Sequence, residues 1–148
     1  MNEYDLDILK LKNQGYCCSQ IVLHMALDLQ GTRNPGLMRA MAGLCRGFSS
    51  DRGPCGALTG ALCLLAYYAG KGRADEEADE RLPMMLSELV RWFEEDATAR
   101  FGGSNCAHIV NDFKPDPAIC GGLISDCYGR AMTILVENGI DPADSGHV

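Results

Sequence analysis

The chain carries 148 residues and 16.0 kDa, which suits one domain (1–148) around a single buried core and leaves too little for a second. Its 47% hydrophobic and 22% charged residues exclude a disordered or fibrous polymer. Twenty acidic against 13 basic side chains give a formal charge of -7, which opposes the counterion release that drives binding to phosphate backbones, so no nucleic acid partner is expected.

Residues 1–10 carry Glu3, Asp5 and Asp7 where a secretory leader needs a basic start and an apolar run, and a cytoplasmic location is the expectation. Tyr4, Leu6, Ile8, Leu9 and Leu11 recur at nearly helical spacing until Gly15, which predicts a short first helix. A second is predicted from Cys18 or Ser19 to Leu29, with Ile21, Val22, Met25 and Ala26 inward, Ser19 as its cap and Gly31 beyond its end. Asn34-Pro35 opens the third: Asn accepts from a free amide, and Pro at the first position lacks an N–H that would go unpaired. The third helix is predicted to carry Leu37, Met38, Met41, Leu44 and Cys45.

Beyond a polar turn over 47–53, Pro54 opens a fourth helix that runs to Tyr68 and is apolar nearly all round, which marks it as central. Gly56 and Gly60 share one face, where a neighbouring backbone can approach closely. The 18 uncharged residues 53–70 include four glycines and are flanked by Asp51, Arg52, Lys71 and Arg73, so a core helix is predicted and no membrane span. After the charged stretch 71–80, Pro83 starts an amphipathic helix through Leu86, Leu89, Val90 and Phe93 to about Ala99, stopped by Gly102-Gly103. Ser104 or Asn105 caps a short turn with Cys106, Ile109 and Val110, residues 111–118 read as a loop, and a last helix is expected over 120–138, capped by Gly139 and followed by a frayed tail. No strand-type alternation occurs, and the fold class is all-α: a compact array of five or six helices. Met84, Met85, Trp92 and Phe93 predict an apolar surface on the fifth helix that a homodimer would bury.

The eight cysteines are the chemical anomaly, and no C-x-x-C occurs among them. That excludes the zinc-ribbon spacing, a thioredoxin-type pair and covalent c-type haem. In a reducing cytoplasm a structural disulfide framework is not expected, and metal or redox chemistry gains weight. Cys18, Cys55, Cys106 and Cys120 each fall at or within one residue of a predicted helix start, where unpaired N–H groups and partial positive charge lower a thiol pKa. Cysteine is also a small apolar residue, and packing competes with function at these four positions. Cys45, Cys63 and Cys127 fall inside predicted helices and read as packing residues. His24, on an apolar helix, reads as an ordinary core or surface histidine; His108, two residues after Cys106, is the better placed metal donor of the two. The acidic stretch 75–80 reads as a solvated linker, with a docking patch for a basic electron-transfer partner as the weaker alternative.

Four segments together resemble the C_GCAxxG_C_C family of redox-active proteins. Gly15-Tyr16-Cys17-Cys18-Ser19-Gln20 is similar to its first motif, with Cys18 as the cysteine, and Cys55-Gly56-Ala57-Leu58-Thr59-Gly60 to the central one, with Cys-Gly-Ala where the label reads Gly-Cys-Ala. Phe101-Gly102-Gly103-Ser104-Asn105-Cys106 and Cys120-Gly121-Gly122-Leu123-Ile124 are similar to the third and fourth. The resemblance covers about residues 10–138 and gives Cys17, Cys45, Cys63 and Cys127 no role. A related domain in split-Soret cytochromes is associated with an iron-sulfur cluster beside haem, and the resemblance implies the cluster without the haem.

Four converging thiolates suit an iron-sulfur cluster or a structural zinc. Zinc mostly uses closely spaced ligand pairs in domains too small to fold alone, so the cluster is favoured. The expectation is an electron carrier, or a redox-active binding protein rather than a substrate-turning enzyme. Its cluster is held by Cys18, Cys55, Cys106 and Cys120, and it serves a redox partner protein. The alternatives are a thiol-disulfide oxidoreductase in which a low-pKa Cys55 attacks and a second cysteine resolves, and a zinc-stabilised interaction module.

Overall fold

The computed structural model describes residues 2–110 and 116–144. Among them are seven α-helices and no strand: α1 (Asp5–Asn13), α2 (Cys18–Gln30), α3 (Pro35–Met41), α4 (Gly56–Ala69), α5 (Leu82–Phe101), α6 (Cys106–Ile109) and α7 (Pro117–Glu137). The class is all-α as the patterning predicts, and the count exceeds the expected five or six because the predicted turn at Cys106 closes as a helix of its own. The start signals act where they stand. Asn34 Oδ1 accepts from Leu37 N at 3.0 Å, and Gly31 and Gly102 end α2 and α5 in the left-handed conformation.

Helix α4 is the centre of the array, packed on α2, α7 and α5. Its glycines explain how closely α2 approaches: a Cβ on Gly60 would stand 2.7 Å from the carbonyl oxygen of Ser19, and one on Gly56 would collide with Cys18 Sγ. Around this contact Ile21, Val22, Leu64, Leu65, Phe93 and Leu135 are buried to within 1%, and burying such side chains stabilises the fold by roughly 1.5–3 kcal/mol each. Helix α7 is long and apolar enough to cross a membrane by length and composition. Its inner face, with Leu123, Ile124 and Ala131, joins the core, and its outer face carries the exposed Asp126, Thr133 and Glu137.

Several expectations are corrected. The third helix stops at Met41 and tightens into one 3-10 turn (Ala42–Leu44), so Cys45 lies in extended backbone outside any helix. The last helix begins at Pro117, because Asp116 caps it by accepting from Ala118 N at 2.9 Å. Residues 117 and 118 are therefore helix, Asp116 is its cap, and residues 111–115 of the predicted loop lie outside the described residues. The segment after Gly139 is anchored as far as Pro142: the Tyr68 hydroxyl donates to Pro142 O at 2.7 Å, and Ile140 N donates to Leu135 O at 2.9 Å. Met85 and Phe93 are fully buried, and Trp92 is half-buried beneath the Arg130 guanidinium at 4.8 Å, which leaves Met84 as the exposed member of the apolar set on α5.

Candidate functional site

Four elements bring one cysteine each to a shared cavity of about 40 Å³: Cys18, Cys55, Cys106 and Cys120 all line it, with Arg46 at its edge. Cys18 is the first residue of α2, Cys55 the residue before α4, and Cys106 the first residue of α6. Cys120 is three residues inside α7, one turn further along than the helix-start pattern predicts, because the cap at Asp116 starts the helix earlier. Backbone bonds lock the two middle segments together: Cys55 N donates to Ser104 O at 3.1 Å, and Cys106 N to Gly53 O at 2.9 Å.

Arg46 leads from the cavity into a wide turn (Gly47–Asp51) built largely from left-handed residues. Arg46, Phe48, Ser49 and Asp51 have φ of 53°, 62°, 60° and 61°, a conformation that costs a non-glycine residue about 1–2 kcal/mol. Gly47 has no such penalty, and any Cβ there would press on Gly53 O at 2.7 Å and on Cys106 Cβ at 2.9 Å. The strained turn places Asp51 Oδ1 3.6 Å from Cys106 Sγ and 3.3 Å from Arg46 Nη2.

Electrostatics reverse the expectation of a reactive Cys55. Burial pushes its thiol up to about 11, against the lowering effect of the Ala57 and Leu58 N–H groups at the start of α4, and Cys18 and Cys120 add repulsion. Cys106 is pushed up to about 12 by burial and by the hydrogen bond to Asp51. Cys120 is raised by burial and by Cys18. Desolvation thus outweighs the helix N-terminus, and a low-pKa attacking Cys55 is not what this cavity makes. Among the described residues no three His, Cys, Asp or Glu side chains are gathered tightly enough to hold one metal ion; the sulfurs surround a cavity instead of meeting at a point.

The other cysteines divide differently from the helix reading. Cys63 on α4 and Cys127 on α7 pack with the hydrophobic core. Cys17 and Cys45 form a disulfide, their Cα atoms 6.0 Å apart. This corrects the reading of Cys45 as a helical packing residue: once the chain leaves α3 at Met41, Cys45 swings back to the cap of α2. Sequence reasoning also missed Arg46 and Asp51: the turn over 47–53 was legible, but left-handed backbone at Arg46, Phe48, Ser49 and Asp51 is not signalled by those residue types. His24 pairs with Asp28 at 3.1 Å and packs on the Tyr16 ring, away from the cavity. His108 Nδ1 accepts from Asn105 N at 3.3 Å as part of the α6 cap.

Curated proteins and solved structures yield no match to the chain. A family model described as "Putative redox-active protein (C_GCAxxG_C_C)" matches residues 16–134, a stretch that contains all four cavity cysteines and the disulfide. That match covers well over half of the chain, and the protein belongs to the redox-active C_GCAxxG_C_C family.

Proposed function

We propose that Cys18, Cys55, Cys106 and Cys120 hold an iron-sulfur cluster and that the protein carries electrons through it. The observation that carries this reading is the arrival of four sulfurs from four separate elements at one cavity. Thiols whose protons are held to about 11 and 12 store no charge at neutral pH, and a bound metal centre supplies the positive charge that burial removes, deprotonating its thiols outright. When bound, the cluster supplies one-electron chemistry. Sulfurs spread around a cavity suit a centre of several atoms better than a single zinc ion, which draws four ligands to about 2.3 Å.

The chain's own residues support such a centre in identifiable ways. Ile109 and Val110 give the cavity an apolar wall that keeps water out. Asp51 Oδ1 accepts the Cys106 proton in the metal-free form and is held in place by Arg46. The exposed rim of the 46–52 turn, with Phe48 half-exposed, is where a redox partner protein approaches most closely.

Anaerobically purified protein tests the proposal by its visible absorption and its iron, sulfide and zinc content. We expect iron and acid-labile sulfide together, most of both lost in Cys55→Ser and nearly all retained in Cys63→Ser. Serine replaces a soft thiolate with a hard oxygen in the first variant and removes a packing contact in the second. Zinc without iron would replace the cluster by a structural ion; equal metal loss in both variants would overturn the division between ligand and packing cysteines.

A further inference from the structure

The Cys17–Cys45 disulfide uses none of the four motif cysteines yet adjoins the site at both of its ends. Cys18 follows Cys17, Arg46 follows Cys45, and both of those neighbours line the cavity. We propose that Cys17–Cys45 is a second, thiol-exchanging redox centre: a reversible dithiol/disulfide couple attacked at Cys17 by an external thiol. This stands independently of whether the cavity binds a metal.

Access selects the sulfur. Cys17 is half-buried at the cap of α2, while Cys45 is 8% exposed, so an incoming thiolate reaches Cys17 Sγ first. The new S–S bond forms there, the Cys17–Cys45 bond breaks, and its electron pair goes to Cys45 Sγ, which takes up a proton. A second external thiolate attacks the mixed disulfide and releases Cys17 with the other electron pair and a second proton. Two external thiols leave as their disulfide, and two electrons and two protons stay on the protein.

Both released sulfurs already have partners. Cys17 Sγ faces the Gln20 N–H in the capping box of α2, a donor available to the released sulfur. Ser19, fully buried, has its Oγ 3.2 Å from Cys45 Sγ and 3.6 Å from Cys17 Sγ, and it donates its own proton to Met41 O at 2.8 Å. The Ser19 oxygen is thus free to accept from the Cys45 thiol. Nor does the contact between α2 and α3 depend on the S–S bond, because Gln20 Nε2 donates to Met38 O at 2.8 Å and Met38 and Met41 are buried against α2. A structural staple would need none of these provisions; a couple that cycles needs them in its reduced form. Ser19 is a positioning residue here.

The test equilibrates the full-length protein in glutathione buffers of graded thiol-to-disulfide ratio, quenches it in acid, and maps alkylated cysteines by mass. Cys17 and Cys45 should become labelled together and reversibly, with circular dichroism unchanged. Cys45→Ser should collect one glutathione on Cys17, whereas Cys17→Ser should modify Cys45 at least about tenfold more slowly because that sulfur is buried. Ser19→Ala removes one hydrogen bond from the reduced form, and the equilibrium should shift about fivefold toward the disulfide. Both cysteine variants should retain the wild-type metal content, whatever that is, which separates this result from the cluster reading. Pairing that persists until the chain unfolds, labelling of both residues at every ratio, or equal glutathione uptake by the two variants would overturn the proposal. An unmoved Ser19→Ala midpoint would overturn the role of Ser19.

Discussion

At Cys55 two effects act on one sulfur. The N–H groups at the start of α4 favour the thiolate, burial favours the thiol, and burial prevails, holding the proton to about 11 against an ordinary 9.0. Below pH 9 folded and unfolded chains both keep that proton. Between about 9 and 11 the unfolded chain releases it while the folded chain does not, so metal-free reduced protein loses stability as pH rises through this window. Urea midpoints across this range should fall, and should fall less in Cys55→Ala; an identical slope in the two proteins would show that Cys55 is not responsible. Helix-start position was legible at Cys55 and Cys106, but the direction of their pKa shifts was not, since spacing carries no information on how deeply a sulfur is desolvated. Cys45 reads as helical for a related reason: Met41, Leu44 and Cys45 sustain helical spacing, while the backbone turns extended at Cys45 itself and left-handed at Arg46, types that give no warning.

Among the elements, the α2–α4 contact sets the site. Gly56 admits Cys18 Sγ to the place a side chain would occupy, and Gly60 does the same for the backbone of Ser19. Gly56→Ala should therefore cost about 1–3 kcal/mol through overpacking and should reduce metal retention by displacing Cys18. Gly121→Ala on α7, where a Cβ meets nothing within 4 Å, should be neutral or slightly stabilising by helix propensity. Denaturant midpoints and metal analysis of the two variants check this, and equal retention in both would mean that the position of Cys18 does not depend on Gly56. The sequence spacing of Gly56 and Gly60 announced a close neighbour without naming it, because periodicity describes one helix at a time. The start of α7 was fully legible: Asp116-Pro117 is the same kind of signal as Asn34-Pro35, and its use would have placed Cys120 inside the helix.

For the whole molecule, the cavity cysteines tie together the starts of α2, α4 and α6 and the first turn of α7. A ligand held by all four binds the folded chain and not the unfolded one, so its removal destabilises everything at once. Melting curves of anaerobically prepared protein before and after treatment with a chelator should differ by roughly 5–10 °C, the shift expected when the ligand is about a hundredfold above its dissociation constant. An unchanged midpoint on metal loss would place the metal elsewhere than the cavity. The helical class was readable because it depends on local pattern, whereas the meeting of the four cysteines was expected only from their helix-start placement together with the family resemblance. The apolar surface assigned to α5 was not, since Met85 and Phe93 find their partners only in the assembled core.

The distance along the chain between Cys18 and Cys120 also orders events during biosynthesis. At about 5–20 residues per second, a ribosome needs roughly 5–20 s after making Cys18 to deliver Cys120. Cys17 and Cys45, separated by 28 positions, emerge several-fold sooner and can meet while the fourth cavity thiol is still untranslated. A nascent chain thus carries unmatched cysteines for seconds, with Cys18 beside a Cys17 that can already have its mate, and any group held by all four cavity cysteines could be loaded only after Cys120 is made.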